Sequence, residues 1–462
     1  MKRREFTAAA TSALAGTLFP WSAQAARSQA RPSPSQLAWQ RDELALFLHF
    51  GVNTFTDREW GDGREDPAIF APTSLDARQW ARSARAAGAR ALILTAKHHD
   101  GFCLWPSRLT EHCVARSPFR GGAGDVVREF TDACKHEGLR AGLYLSPWDR
   151  NAPLYGDSPR YNDFYCDQLM ELLTRYGPIA EVWFDGANGE GPNGRRQVYD
   201  WPRVFGLVRR LQPQAVMFSD AGPDLRWCGN ENGVAGDPNW STMDPAAVPY
   251  PGAPGDAVIA ALQHGDPQGS VWRPAETDVS IRPGWFHHAA EDERVKTVDQ
   301  LTDIWFTSVG RNSKLLLNVP PTRDGVLHPT DVTRLAALRA RLTTLFAEDY
   351  AFGRRVQWRA NGPRAGAGEI DLGRTVTAGI VRLEEDIVQG QRVARYAVYG
   401  AVDGPWQTLA VGTTIGHRKL DRCAATPVRR LRVVVEDAVA PLPSRLRIGL
   451  YAPGPIAPRN PA

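Results

Sequence analysis

The sequence predicts an α/β protein: a (β/α)8-type barrel, complete or with one unit degraded, followed by a C-terminal all-β sandwich. Three observations carry this. Between about residue 40 and 345, short apolar runs alternate with longer amphipathic segments, as in repeated βα units. No glycine-rich phosphate loop follows the first run, which argues against a doubly wound sheet. After about Asp349, short strand-like runs are separated by Gly, Pro and Asp turns. The 462 residues, 43% hydrophobic and 23% charged, exceed the roughly 250 to 300 residues a single core usually reaches, so two domains are expected.

In chain order, residues 1–30 begin with basic Lys2, Arg3 and Arg4, continue through an apolar stretch from Ala8 to Phe19, and reach a small-residue "AQA". This is the pattern of a removable export signal, and Arg3-Arg4 before Phe6 resembles a twin-arginine signal, which implies a bacterial periplasmic or extracellular product. The stretch is shorter than the roughly 20 residues needed to span a bilayer. The barrel is assigned to 31–348. Its candidate strands are "LALFLHFG", "ARALILTAK", "RAGLYLSP", "AEVWFDG", "AVMFSD", "VWRPAETDVS" and "SKLLLNVPP". Among the helices, "SLDARQWARSARAAG" offers Ser74 as N-cap, Gly88 as stop, and Leu75, Trp80 and Ala84 for one face. "YNDFYCDQLMELLTRYG" and "TVDQLTDIWFTSVGR" read the same way. The β domain is assigned to 349–453, either as a structural cap or as an accessory sugar-binding module, and 454–462 to a disordered tail.

The net charge of +4 with no basic block excludes nucleic acid as the expected partner. No other segment is apolar and long enough to span a membrane. Six cysteines, Cys103, Cys113, Cys134, Cys166, Cys228 and Cys423, match neither a metal ribbon nor a dense disulfide scaffold, so buried free thiols are expected. Fifteen tryptophans suit a core, with some faces free to stack on sugar rings.

In a parallel barrel the chemistry sits where strands end, so the residues closing each run are the ones to collect. They are His49; Lys97, His98, His99 and Asp100; Tyr144 and Asp149; and Asp185, which is followed by Gly186 to let the chain turn away. A lone strand-end aspartate is as readily a helix cap. Three readings of His98-His99 are open: ligand binding, core histidines, or a metal site. Adjacent residues on a strand point to opposite faces, and no HExxH or CxxC spacing accompanies them. Ligand binding is therefore expected, with no metal and no cofactor.

The motifs "FLHFGVNTF", "EWGDG", "ILTAKHHDGFCLWPS", "GLYLSPWD", "EVWFDGA", "RWCGNENG" and "LLLNVPPTRDG" together resemble the α-L-fucosidases of glycoside hydrolase family 29 over roughly residues 40 to 345. The "RWCGNE" segment and the trailing β domain resemble the branch acting on α-1,3/1,4-linked fucose in Lewis-type glycans. The resemblance implies a retaining double displacement with Asp185 as nucleophile and Glu231 as acid/base. Glu276 is the runner-up for the acid, taken as closing its own strand, and Glu276 and Asp278 are otherwise expected to line the pocket or to support the residues that do. The fucose-binding set implied is His49, Glu59, Trp60, His98, His99 and Tyr144, with Trp285 as an aromatic wall. Arg226 is read either as orienting a carboxylate or leaving-group hydroxyl, or as a surface arginine. Retention predicts that Asp185 and Glu231 lie about 5 to 5.5 Å apart, against about 6.5 to 9.5 Å for inversion. The competing readings are a broad-specificity fucosidase, a fucose-binding protein without turnover, and a metal-dependent hydrolase.

Overall fold

The computed structural model describes residues 29–442 and 445–454; the export-signal reading and most of the tail lie outside the described residues. Eight strands make the barrel: β1 (Leu44–Leu48), β2 (Ala91–Lys97), β3 (Arg140–Leu145), β4 (Glu181–Trp183), β5 (Val216–Phe218), β6 (Arg226–Trp227), β7 (Ala275–Ser280) and β8 (Lys314–Asn318). Their order is β5-β4-β3-β2-β1-β8-β7-β6, with every pairing parallel. The ends of that path meet at a seam between β5 and β6. There the Met217 carbonyl accepts hydrogen bonds from the amides of Asp224 at 3.3 Å and Leu225 at 3.2 Å.

All seven expected runs contribute strands, and the missing unit is β6, two residues inside "RWCGNE". The run "VWRPAETDVS" is split at Pro274, which cannot donate to a ladder. Val271–Trp272 pairs instead with Thr242–Met243 in a separate antiparallel ribbon, while β7 starts at Ala275. Every residue of β1 and β2 is buried, because helices cover one face and the barrel fills the other. Leu44, Leu46, Leu48, Leu92 and Leu94 face the helices beside Trp80 and Phe130. The alternate positions, Ala45, Phe47, Ala91 and Ile93, fill the interior with Tyr144, Trp183, Phe218 and Leu316.

The helix over Ala77–Ala87 is capped by Asp76, whose carboxylate accepts from the Gln79 amide at 3.0 Å. Ser74 is not the cap; its amide reaches the Asp324 carbonyl at 2.9 Å. Gly88 ends the helix at φ 91°, a conformation glycine takes without steric cost. No described helix is long and apolar enough to cross a membrane. All six cysteines are buried and free.

The C-terminal domain is one continuous antiparallel sheet of β9 (Gln357–Ala360), β10 (Gly366–Glu385), β11 (Val393–Ala401), β12 (Gln407–Gly412), β13 (Lys419–Ala438) and β14 (Leu446–Tyr451). The pairing of the two long strands, β10 and β13, shifts register twice. The sheet encloses its own core of Ile370, Val381, Val398, Leu431, Val433 and Leu450. Gln391 ties this domain to the barrel: its amide nitrogen donates to the Asn239 carbonyl at 3.0 Å, and its oxygen accepts from the Ser241 amide at 2.7 Å and from Asn312 Nδ2 at 3.1 Å. Lys419 adds an ion pair to Asp237 at 2.6 Å.

Candidate active site

Two cavities lie at opposite ends of the barrel. The larger, about 830 Å³, is lined by the residues that open strands, among them Ala91, Arg140, Glu181, Val216 and Lys314. The smaller, about 220 Å³, is lined by Phe47, His49, Glu59, Trp60, His98, His99, Tyr144, Trp183, Asp185, Ala187, Glu231, Asp278 and Trp285. Catalysis in parallel barrels belongs to the C-terminal ends of the strands, so the smaller cavity is the candidate site.

It gathers all nine residues singled out in the sequence as catalytic or sugar-binding, together with Asp278. His98 and His99 both enter it, their ring centroids 4.1 Å apart. The alternation argument fails for this pair because β2 ends at Lys97 and the chain turns immediately.

Asp185 follows β4. Its Oδ1 accepts from the Ala187 amide at 2.7 Å and its Oδ2 from the Tyr144 hydroxyl at 3.1 Å, with His99 Nε2 at 3.9 Å. Gly186 is needed for space rather than for a turn. A Cβ there would lie 2.4 Å from Asp220 Oδ2 and 2.9 Å from the Gly252 amide nitrogen, which packs against the loop carrying Asp185.

The hydrogen-bond pattern makes His49 and His99 acceptors toward the cavity and fixes which nitrogen accepts. Asn318 Nδ2 donates to Ser280 Oγ at 2.9 Å and the Trp285 carbonyl at 2.8 Å. Its Oδ1 must therefore accept from His49 Nδ1, 2.8 Å away, which leaves His49 Nε2 bare. Ser146 spends its hydroxyl hydrogen on the Trp148 carbonyl at 2.7 Å, so it accepts from His99 Nδ1 at 2.7 Å. Burial pushes the His49 ring down to about 3, with His99 adding to the effect against the Asn318 bond. Burial also lowers His98 and His99, the latter despite the attraction of Asp185. His98 stacks on Tyr144, and its Nδ1 is buried without a protein partner.

Glu231 lies at the exposed rim, just beyond β6. Asn230 braces its loop by accepting from the Asn232 amide at 3.0 Å and donating to the Val234 carbonyl at 2.7 Å. Trp285 Nε1 donates to Glu231 Oε2 at 3.3 Å. Partial burial raises the Glu231 carboxyl above its ordinary range, and the charges of Asp185 and Glu59 add to this against the Trp285 bond. One acid is thus surrounded by donors while the other, at the same cavity, has its carboxyl raised above the ordinary range.

Glu59 touches the cavity but serves mainly as an anchor. It accepts from the amides of Trp285 at 2.8 Å and Phe286 at 3.0 Å and from His288 Nε2 at 2.7 Å. His288 Nδ1 also meets Asp57 at 2.7 Å, so the imidazole clasps the Trp60 segment to the Trp285 segment. Burial pushes His288 down, but its bonds to Asp57 and Glu59 together outweigh that and raise its pKa. The clasp is fully charged below the usual histidine value of about 6.5 and is lost as pH rises through the higher folded value. The ratio of KM for His288→Ala to that for wild type is expected to be roughly 3 to 10 near pH 6 and to fall toward one at alkaline pH. A pH-independent ratio would refute the charged clasp.

Two sequence candidates are placed elsewhere. Glu276 is the second residue of β7, not its last, and lies inside the barrel, accepting from Trp183 Nε1 at 3.0 Å with Lys314 Nζ 3.8 Å away. Arg226 is neither on the surface nor in the pocket. It is fully buried, with Nε on the Leu262 carbonyl at 2.9 Å, Nη2 on Asn239 Oδ1 at 2.6 Å and Nη1 on the Arg273 carbonyl. Conversely, sequence reading missed Asn318, although it closes β8 and the strand-end rule applies to it. Phe47 and Trp183 were also missed; inward alternation along their strands was the available signal.

A parallel barrel whose mouth sets two carboxyl groups in contrasting surroundings, among aromatic rings and hydroxyl-accepting imidazoles, defines a glycoside hydrolase. The family model described as alpha-L-fucosidase matches residues 17–343. An Arabidopsis thaliana protein, alpha-L-fucosidase 1, is 42% identical over 451 residues, covering 91% of this chain and 87% of its own. The crystal structure of a glycoside hydrolase 29 family member from an unknown rumen bacterium superposes with a TM-score of 0.86 at 41% identity, covering 93% of this chain and 79% of that one. A Ruminococcus gnavus glycoside hydrolase 29 fucosidase solved in complex with fucose gives a TM-score of 0.82 at 31% identity, covering 93% of this chain and 97% of that one. The chain belongs to the alpha-L-fucosidase family, glycoside hydrolase 29.

Proposed function

We propose that this enzyme is an exported, retaining exo-α-L-fucosidase that removes terminal α-1,3/1,4-linked L-fucose from Lewis-type glycans. The observation that carries the reading is the pair Asp185 and Glu231 facing one small cavity, the first ringed by donors and the second raised toward its protonated form. In the first step Asp185 attacks the anomeric carbon as Glu231 gives its proton to the departing oxygen. In the second, Glu231 takes a proton from water, and that water displaces Asp185. His49 and His99 accept sugar hydroxyls, while Trp285 and Trp60 offer apolar faces to the 6-deoxy sugar. The linkage preference rests on the likeness of "RWCGNE" and the β domain to that branch.

The test is fucose release from a Lewis-type trisaccharide and from a simple aryl fucoside, with the anomer first formed read by NMR. The α-anomer from both substrates is the expected result. Cleavage of the aryl fucoside alone would remove the linkage assignment, and first release of the β-anomer would remove retention.

A further inference from the structure

Four carboxyl groups, Glu59, Asp185, Glu231 and Asp278, line the one 220 Å³ cavity, and so many anions cannot all be ionised in a poorly solvated space. Donors decide which ones are. Glu59 receives three hydrogen bonds, and Asp185 receives two, with His99 nearby. Asp278 is 3% exposed, and Trp227 Nε1 donates to its Oδ1 at 2.8 Å. No other described side chain bonds it. The groups facing it are Glu231 and Cys228 from the segment after β6, Asp185 from β4 and Glu276 from its own strand. Lys314 of the adjacent β8 is engaged with Glu181 at 3.2 Å and Glu276 at 3.8 Å.

The cavity is also short of donors. The Tyr144 hydroxyl is spent on Asp185, the Trp285 indole on Glu231 and the Trp227 indole on Asp278. His49 and His99 present bare acceptor nitrogens, which leaves the half-exposed Trp60 indole and the one N–H of His98, a ring without a hydrogen bond among the described residues, as the lining donors not already spent. A sugar hydroxyl both donates and accepts, so a pocket lined almost wholly by acceptors would leave its oxygens unmatched.

We propose that Asp278 is a further substrate-binding residue, held as a neutral carboxylic acid whose O–H donates to an oxygen of the bound sugar; this rests on the fucosidase reading of the same site. Burial first, then the charge of Glu231, holds the Asp278 carboxyl well above the usual range. Trp227 Nε1 holds Oδ1 from one side, and no other described side chain engages the carboxyl, which lines the cavity.

The experiment compares Asp278→Asn and Asp278→Ala with wild type on an aryl fucoside at pH 7, after thermal melting has shown all three folded. Asn is neutral, keeps an oxygen for Trp227 and supplies an N–H donor. It should retain kcat/KM within about 5-fold, whereas Ala should lose roughly 10- to 100-fold, as expected for one buried hydrogen bond. Infrared difference spectra of wild type against Asp278→Asn read the proton independently of turnover, through the carbonyl stretch of a protonated acid present only in wild type. Asn as damaging as Ala, or no such band, overturns the proposal. If folded wild type does not cleave the fucoside, the proposal falls with its premise, and the infrared band shows that the fault lies in the fucosidase reading rather than in the protonation of Asp278.

Discussion

Replacing Asp185 by Asn is expected to lower kcat/KM on an aryl fucoside by on the order of 10³-fold or more, with the fold unchanged. The amide is isosteric: its single oxygen can still accept from the Ala187 amide, which now bonds Asp185 Oδ1 at 2.7 Å, and its NH2 faces the Tyr144 hydroxyl, now 3.1 Å from Oδ2, which can turn to accept. It cannot form the covalent bond or oppose the positive charge that develops on the ring. Asp185→Ala opens space where the carboxylate stood, so added azide should attack from that face and give the fucosyl azide of inverted configuration. Wild-type rates in the Asn variant would exclude Asp185 as nucleophile.

The second large effect is expected at Glu231. Glu231→Gln should lose about 10² to 10⁴-fold on a glycan, where the leaving oxygen needs its proton. The loss should be much smaller in the first turnover of a fucoside whose leaving group departs unaided. Because the Glu231 carboxyl is raised, wild-type kcat/KM should fall as pH climbs through its pKa, and the variant should lack that limb. Azide acting on Glu231→Ala should yield the azide of retained configuration, the opposite of the Asp185 outcome. An unaltered alkaline limb in Glu231→Gln would move the acid to another residue.

The barrel was legible because its strands are buried on both faces and read as unbroken apolar runs, as in β1 and β2. β6 was not, since two residues carry no period and its position is set by pairing with β7. Asp185 was legible as a cavity residue because it directly follows such a run. The strand-closing position of Glu276 and both readings of Arg226 failed for one reason: burial of a charged side chain depends on partners distant in sequence. Trp183 and Lys314 decide the first, and Leu262, Asn239 and Arg273 the second. The anchoring role of Glu59 was hidden likewise, because the amides it holds lie 226 and 227 residues away.

The segment carrying Glu231 begins on a barrel strand and runs, a few residues later, into Asp237, Asn239 and Ser241, which Lys419 and Gln391 of the β domain grip. Glu231, the proposed proton donor, is thus suspended between two folding units like a cable between two piers. On the proposed roles, exchanging the β domain among relatives is expected to re-aim Glu231 and leave Asp185 where it stands, a way to change the leaving group without rebuilding the sugar pocket.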